Sequence, residues 1–213
     1  MHRSGHLWRG AARSKSTSEA LTLEGLAEDV IGVMDNLNIG KAVITGHSIG
    51  GPMACTIAAV HPDRVAGIVC IGPVYPPQVK PEFFTKRIET VMKDGMEPLA
   101  NAIPTSATNA KSTALQRAII RELILNQDPK SYASHCQVIV DALEPDLTSI
   151  NLPALILAGA EDMSAPLEGY QAIHDNLGSS KKELKVMDGV GHWHCIEAGD
   201  RVGKEIAAFV QAL

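Results

Sequence analysis

Along the chain, apolar positions switch between a helical and a strand period. Leu23, Leu26, Val30, Val33, Met34 and Leu37 recur at helical spacing behind Thr22, a side chain suited to an N-cap, which predicts a helix. Residues 41–45 follow as a short apolar strand, then a helix over 50–61 that Pro62 must stop. Residues 65–71 (VAGIVCI), 154–158 (ALILA) and 183–187 (ELKVM) read as further buried strands. A helix over 166–177 separates the last two, and residues 197–213 form a closing helix. Short apolar strands alternating with helices imply an α/β fold, with a parallel sheet covered on both faces.

Between residues 75 and 152 the strand period vanishes. Helical periods run over 83–92, 113–125 and 132–143, punctuated by Pro76, Pro77, Pro104, Pro129 and Pro145. This is far more chain than a connection needs. It predicts a helical lid over 76–146, seated on a core made of 1–75 and 147–213.

Composition narrows the partners. The 213 residues are enough for one domain with a sizeable core, and 45% hydrophobic with 20% charged is ordinary for a globular protein. A net charge of −5 gives no reason to expect nucleic acid or an anionic membrane as a partner. No apolar run approaches the roughly 18 residues of a membrane span. Cys55, Cys70, Cys136 and Cys195 form no CxxC pair and read as buried thiols of a reducing compartment, so the expected location is cytoplasmic. Residues 1–18 carry Arg3, Arg9, Arg13 and Lys15 with no acid before Glu19. That composition suits either a surface loop or a mitochondrial transit peptide.

The candidate chemistry lies in Thr45-Gly46-His47-Ser48-Ile49-Gly50-Gly51-Pro52, between a predicted strand and a predicted helix. A Gly-x-Ser-x-Gly turn at such a junction lifts the serine hydroxyl clear of the sheet, and its glycines are expected to avoid crowding there. The following helix aims its N-terminus at the site, and the Ile49 backbone N–H is the expected oxyanion donor. A serine hydroxyl needs a histidine to take its proton, and that histidine needs a carboxylate. In chain order, Asp162 follows one strand and His192 the next, the arrangement serine, acid, histidine. Glu161 or Asp188 could replace Asp162, and His194 could replace His192. His47 reads as part of the wall around the serine, and His135 and His174 as packing or surface residues. His192-x-His194-Cys195 lacks the further ligands that a zinc site needs, so no metal is expected.

These stretches carry a resemblance. "RGAARS", "GHSIGG", "HPDRVAGIV", "LPALILAGAED" and "GHWHCIEAGDRVGKEIAAFV" resemble the α/β-hydrolase superfamily. "RIETVMKDGMEPLANAI" and "SYASHCQVIVDALEPDLTSINLPALILAGAEDMSAP" look most like its 3-oxoadipate enol-lactonase and carboxylesterase group. The resemblance implies Ser48 as nucleophile, Asp162 as orienting acid, His192 as base and no cofactor. It also implies a glutamate five residues after the histidine, where Glu197 stands. The superfamily's loop Asp-x-Arg-Gly-x-Gly-x-Ser is matched in part by Leu7-Trp8-Arg9-Gly10-Ala11-Ala12-Arg13-Ser14, which favours the loop reading of the basic start.

In the superfamily that loop follows four strands and a helix, including a His-Gly segment that supplies a second oxyanion donor. The expectation is therefore an incomplete sheet with residues 41–45 at a bare edge. Two functions follow: hydrolysis of a small carboxylic ester or lactone, or a catalytically impaired remnant that only binds. A substrate carrying a carboxylate would want a cation, for which Lys86, Arg87, Arg117 and Arg121 are candidates, each also readable as a solvated helix residue.

Overall fold

In the computed structural model, which describes residues 21–213, the apolar runs form four strands. These are β1 (Ala42–His47), β2 (Val65–Ile71), β3 (Ala154–Gly159) and β4 (Lys182–Met187). They lie side by side in chain order, all parallel. A parallel pair cannot close through a hairpin, so each connection must cross a face of the sheet. α2 (Gly50–Val60) links β1 to β2, and α7 (Leu167–Asn176) links β3 to β4. α1 (Leu23–Asn36) precedes β1, with the Thr22 hydroxyl accepting from the Gly25 N–H at 3.0 Å, as an N-cap should.

Side-chain alternation divides the core between the two faces. From β2, Ile68 and Cys70 join a cluster with Ala27 and Ile31 of α1, Ile57 of α2 and Tyr170 of α7. Val69 and Ile71 point the other way, toward Leu155, Leu157, Met187 and Val202, the last carried by α9 (Gly199–Gln211). β2 and β3 are buried along almost their whole length. The outer strands are not. Among the described residues β1 pairs with β2 alone, and its Thr45 is exposed while Ile44 and Gly46 are buried. In β4, Glu183 and Val186 are exposed. The expectation of four buried strands thus holds for the inner pair, because a strand with one neighbour keeps a wetted flank.

Between β2 and β3 stand four helices: α3 (Pro81–Asp94), α4 (Glu97–Ser106), α5 (Ala114–Leu125) and α6 (Pro129–Asp141). They have an apolar centre of their own, including Val91, Ala100, Ile103, Ile120 and Ile124. Trp193 and Ile196 pack against it from the C-terminal half of the chain. α4 is absent from the sequence expectation because two prolines interrupt its pattern. Pro98 lies in the first turn, where no intrahelical N–H bond is lost, and Pro104 comes just before the helix ends. The closing helix forms as α9, two residues inside the expected bounds at each end, and a short α8 (His194–Glu197) precedes it across a break at Ala198 with φ −142°. Cys55, Cys70 and Cys136 are buried as expected, but Cys195 on α8 is exposed. The reading of the basic start as a loop or transit peptide lies outside the described residues.

Candidate active site

The turn after β1 sets the site. Ser48 has φ +57°, a left-handed conformation that a non-glycine residue adopts only when its surroundings hold it there. They do: its N–H donates to the Ile71 carbonyl at 2.9 Å, and its own carbonyl accepts from the N–H groups of Gly51 (2.9 Å) and Val74 (3.2 Å). The expected crowding is present at Gly46, where an added Cβ would stand 1.8 Å from the Gly50 carbonyl oxygen. It is absent at Gly50, whose own Cβ position is open; the second crowded glycine is Gly51, 2.4 Å from Pro73. The helix N-cap is Ile49, whose backbone N–H has no acceptor inside α2.

Asp162 follows β3. Its Oδ1 accepts from the N–H groups of Ser164 (2.8 Å) and Ala165 (2.9 Å), and its Oδ2 from the Tyr170 hydroxyl at 2.5 Å. Burial pushes the carboxyl's pKa up, but hydrogen bonds from His192, Tyr170 and the Ala165 amide, with the His192 charge, hold it below the usual carboxylate value. Burial and the neighbouring carboxylate push the Tyr170 phenol far up, so it stays a donor.

His192, after β4, joins the other two. Its Nδ1 is 2.8 Å from Asp162 Oδ2 and its Nε2 is 3.0 Å from Ser48 Oγ. An ionised carboxylate only accepts, so Nδ1 carries the proton and Nε2 presents a lone pair to the serine hydroxyl. Ser48, Asp162 and His192 are thus brought together, each from the C-terminal end of a different parallel strand. The alternatives stand elsewhere. Glu161 and Asp188 are exposed. His194 is fully buried, with Nδ1 on the His192 carbonyl. His47 also reaches that carbonyl, through Nε2.

Glu197 organises the loop. Its Oε2 accepts from Asn109 N–H and Nδ2 (both 2.7 Å), Gly191 N–H (3.0 Å) and Ser112 Oγ (3.1 Å), and its Oε1 from Trp193 N–H (2.9 Å). The strand-to-helix loop bearing His192 is so tied to the start of the segment before α5. Tyr170 and this hub carry no sequence signal beyond the glutamate's spacing.

Over Ser48 lies a cavity of about 330 Å³, lined mainly by apolar side chains such as Ile103, Ile124, Ile139 and Trp193. Among the described residues no carboxylate lines it. Arg87 does, its guanidinium 4.3 Å from the Phe83 ring centroid and 3.5 Å from the Tyr132 hydroxyl. His135 lines it too, which corrects its reading as a packing or surface residue. Of the other candidate cations, Lys86 is exposed, Arg117 bonds the Asn109 and Ala110 carbonyls, and Arg121 bonds Asn101 and Glu122. Among the described residues no cluster could hold a metal ion, and no helix is long and apolar enough to cross a membrane.

Comparison with known proteins places the fold among hydrolases. The chain is 24% identical over 180 residues to 3-oxoadipate enol-lactonase 2 of Acinetobacter baylyi, covering 83% of this chain and 67% of that protein. Its fold matches the crystal structure of the enol-lactonase from Burkholderia xenovorans LB400 with a TM-score of 0.87 and 26% identity, over 94% of this chain and 77% of the other. It also matches a thermophilic esterase from Thermogutta terrifontis, again at TM-score 0.87, with 24% identity over 96% and 77% of the two chains. A family profile, Hydrolase_4, described as serine aminopeptidase, S33, matches residues 6–198. With its parallel sheet, flanking helices and strand-end turn, the chain belongs to that family of α/β-hydrolases.

Proposed function

We propose that this chain hydrolyses small carboxylic esters or lactones through an acyl-enzyme on Ser48. The supporting observation is the chain of contacts from Ser48 Oγ through His192 to Asp162, at 3.0 and 2.8 Å. Ser48 Oγ attacks the carbonyl carbon while its proton passes to His192 Nε2. The carbonyl oxygen becomes an oxyanion facing the Ile49 N–H at the start of α2, where the helix end favours negative charge. The C–O bond to the alcohol breaks, and that oxygen takes the proton from His192; in a lactone the alcohol stays attached to the acyl chain. Water, deprotonated by His192, then attacks the acyl-enzyme and releases the acid, returning the proton to Ser48. Asp162 stays ionised throughout and stabilises the imidazolium. The chemistry needs no cofactor. In this reading the helices of 76–146 act as the lid.

The cavity's size and apolar lining suit a small acyl group. Arg87, facing a space that no carboxylate among the described residues lines, supports a substrate that bears an anionic group, and the enol-lactonase relatives support a lactone as well as an open ester. The test compares p-nitrophenyl butyrate with p-nitrophenyl hemisuccinate, which differ in acyl charge but little in size. Both are expected to be hydrolysed, with activity lost in Ser48→Ala. Arg87→Met is expected to lower kcat/KM about tenfold or more for the hemisuccinate alone. No Ser48-dependent turnover would instead mark a pocket that binds without reacting.

A further inference from the structure

The reaction as proposed leaves two histidines unused, the buried His194 and the partly buried His47, and both point at one atom. The His192 backbone carbonyl lies 2.6 Å from His47 Nε2 and 2.9 Å from His194 Nδ1. A carbonyl only accepts, so each of those nitrogens must carry a proton. That fixes His47 as its Nε2–H tautomer and His194 as its Nδ1–H tautomer. The two N–H groups occupy both lone pairs of the carbonyl. On its other side, the His192 N–H donates to the Ala107 carbonyl at 2.9 Å. The peptide groups around His192 are thereby held before its ring makes any contact with Ser48 or Asp162.

A second proton is disfavoured on both rings, for different reasons. His194 Nε2 is buried without a hydrogen-bond partner among the described residues, so a proton there would be an unmatched buried donor. His47 faces the His192 ring at 5.0 Å between centroids, the His194 ring at 6.0 Å and the Trp193 ring at 6.2 Å. Burial first, then the repulsion of His192, lowers the His47 pKa to about 4, outweighing the His192 carbonyl and Asp162, which raise it. A charged His47 would stand beside the imidazolium that His192 forms when it takes the serine proton.

We propose that His47 is a positioning residue. As a neutral Nε2–H imidazole it holds the carbonyl of His192 together with His194, and so keeps His192 Nε2 within reach of Ser48 without itself moving a proton. This rests on the reading of Ser48 and His192 given above. It assigns the residue before the serine a donor function, so the requirement is for an N–H at that reach rather than for an imidazole.

The test uses the full chain with His47→Gln, whose amide can place an N–H near Nε2, and His47→Phe, which keeps a ring but no donor. His47→Gln is expected to hold kcat for p-nitrophenyl butyrate within about threefold. His47→Phe is expected to lower kcat by about 10- to 100-fold with KM within twofold, because misplacing a reacting group affects the chemical step rather than binding. Equal loss in the two variants, or full kcat in His47→Phe at an unchanged melting temperature, would overturn the inference. Imidazole 15N spectra of the wild type give a reading independent of turnover, with His47 expected as the neutral Nε2–H tautomer at pH 6–8. An Nδ1–H tautomer or a protonated ring would overturn the proposal. Failure of the wild type to hydrolyse any ester, with the expected spectra, would count against the reading of Ser48 and leave the tautomer assignment standing.

Discussion

At the scale of single residues, the loop around His192 is held by acceptors that each gather several donors. Glu197 shows how much can hang on one carboxylate. It accepts five hydrogen bonds from Asn109, Gly191, Ser112 and Trp193, drawing the segment before α5 onto the loop that bears His192. Glu197→Gln replaces one acceptor oxygen with an NH2 group that must face donors. Leaving partly buried donors unmatched costs about 1–3 kcal/mol. Thermal unfolding is expected to show a Tm lowered by about 2–12 °C, with kcat falling as the His192 loop loosens. A variant with wild-type Tm and kcat would show that the hub is dispensable. Order and spacing brought Ser48, Asp162 and His192 forward as candidates, each after a strand, and left Glu161, Asp188 and His194 beside them; the geometry joins the first three. Tyr170 was not readable, because its role depends on α7 turning a phenol toward Asp162, a contact without any local motif. Arg87 was readable as a cation but not as a cavity residue, since its exposure is decided by how α3 and α6 pack together.

At the scale of elements, periodicity located what local preference and packing agree on. α1 begins at the Thr22 cap as the sequence implies, and α2 stops ahead of Pro62. The four strands were found within one or two residues of their ends. One failure comes from tertiary contacts. α4 forms despite Pro98 and Pro104 because Ala100 and Ile103 bury into the helical layer. The short α8 was missed because its four residues carry no period of their own; it sits between the loop bearing His192 and α9, which packs on the sheet through Val202, Ile206 and Phe209. Close approach explains the glycines. Gly46 is required by the approach of the Gly50 backbone and Gly51 by that of Pro73, so the serine turn is closed by backbone contacts that no spacing rule distinguishes from one another.

At the scale of the whole molecule, the helical layer and the sheet meet over Ser48, and His47 and His194 there link stability to pH. His47 is lowered to about 4 and His194 is lowered as well, in both cases chiefly by burial. An unfolded histidine titrates near 6.5, so between pH 6.5 and about 4 the unfolded chain binds more protons than the folded one. Stability is therefore full above pH 6.5 and falls as the pH drops through that window. Asp162, also lowered, adds its own loss only below the usual carboxylate range. Calorimetry from pH 7.5 to 4.5 is expected to show Tm declining by about 5 °C, with His47→Gln removing part of the slope. A flat profile over that range would contradict the burial of neutral imidazoles.

The central claim is that Ser48 is an activated nucleophile. The most direct measurement is labelling of the chain with a fluorophosphonate probe, located by peptide mass spectrometry, with Ser48→Ala and His192→Ala as controls. Such a probe needs an activated serine and an oxyanion site but no particular substrate. The account predicts a single adduct on Ser48, absent from Ser48→Ala and strongly slowed in His192→Ala. No adduct on folded protein, or an adduct on a different serine, would contradict it.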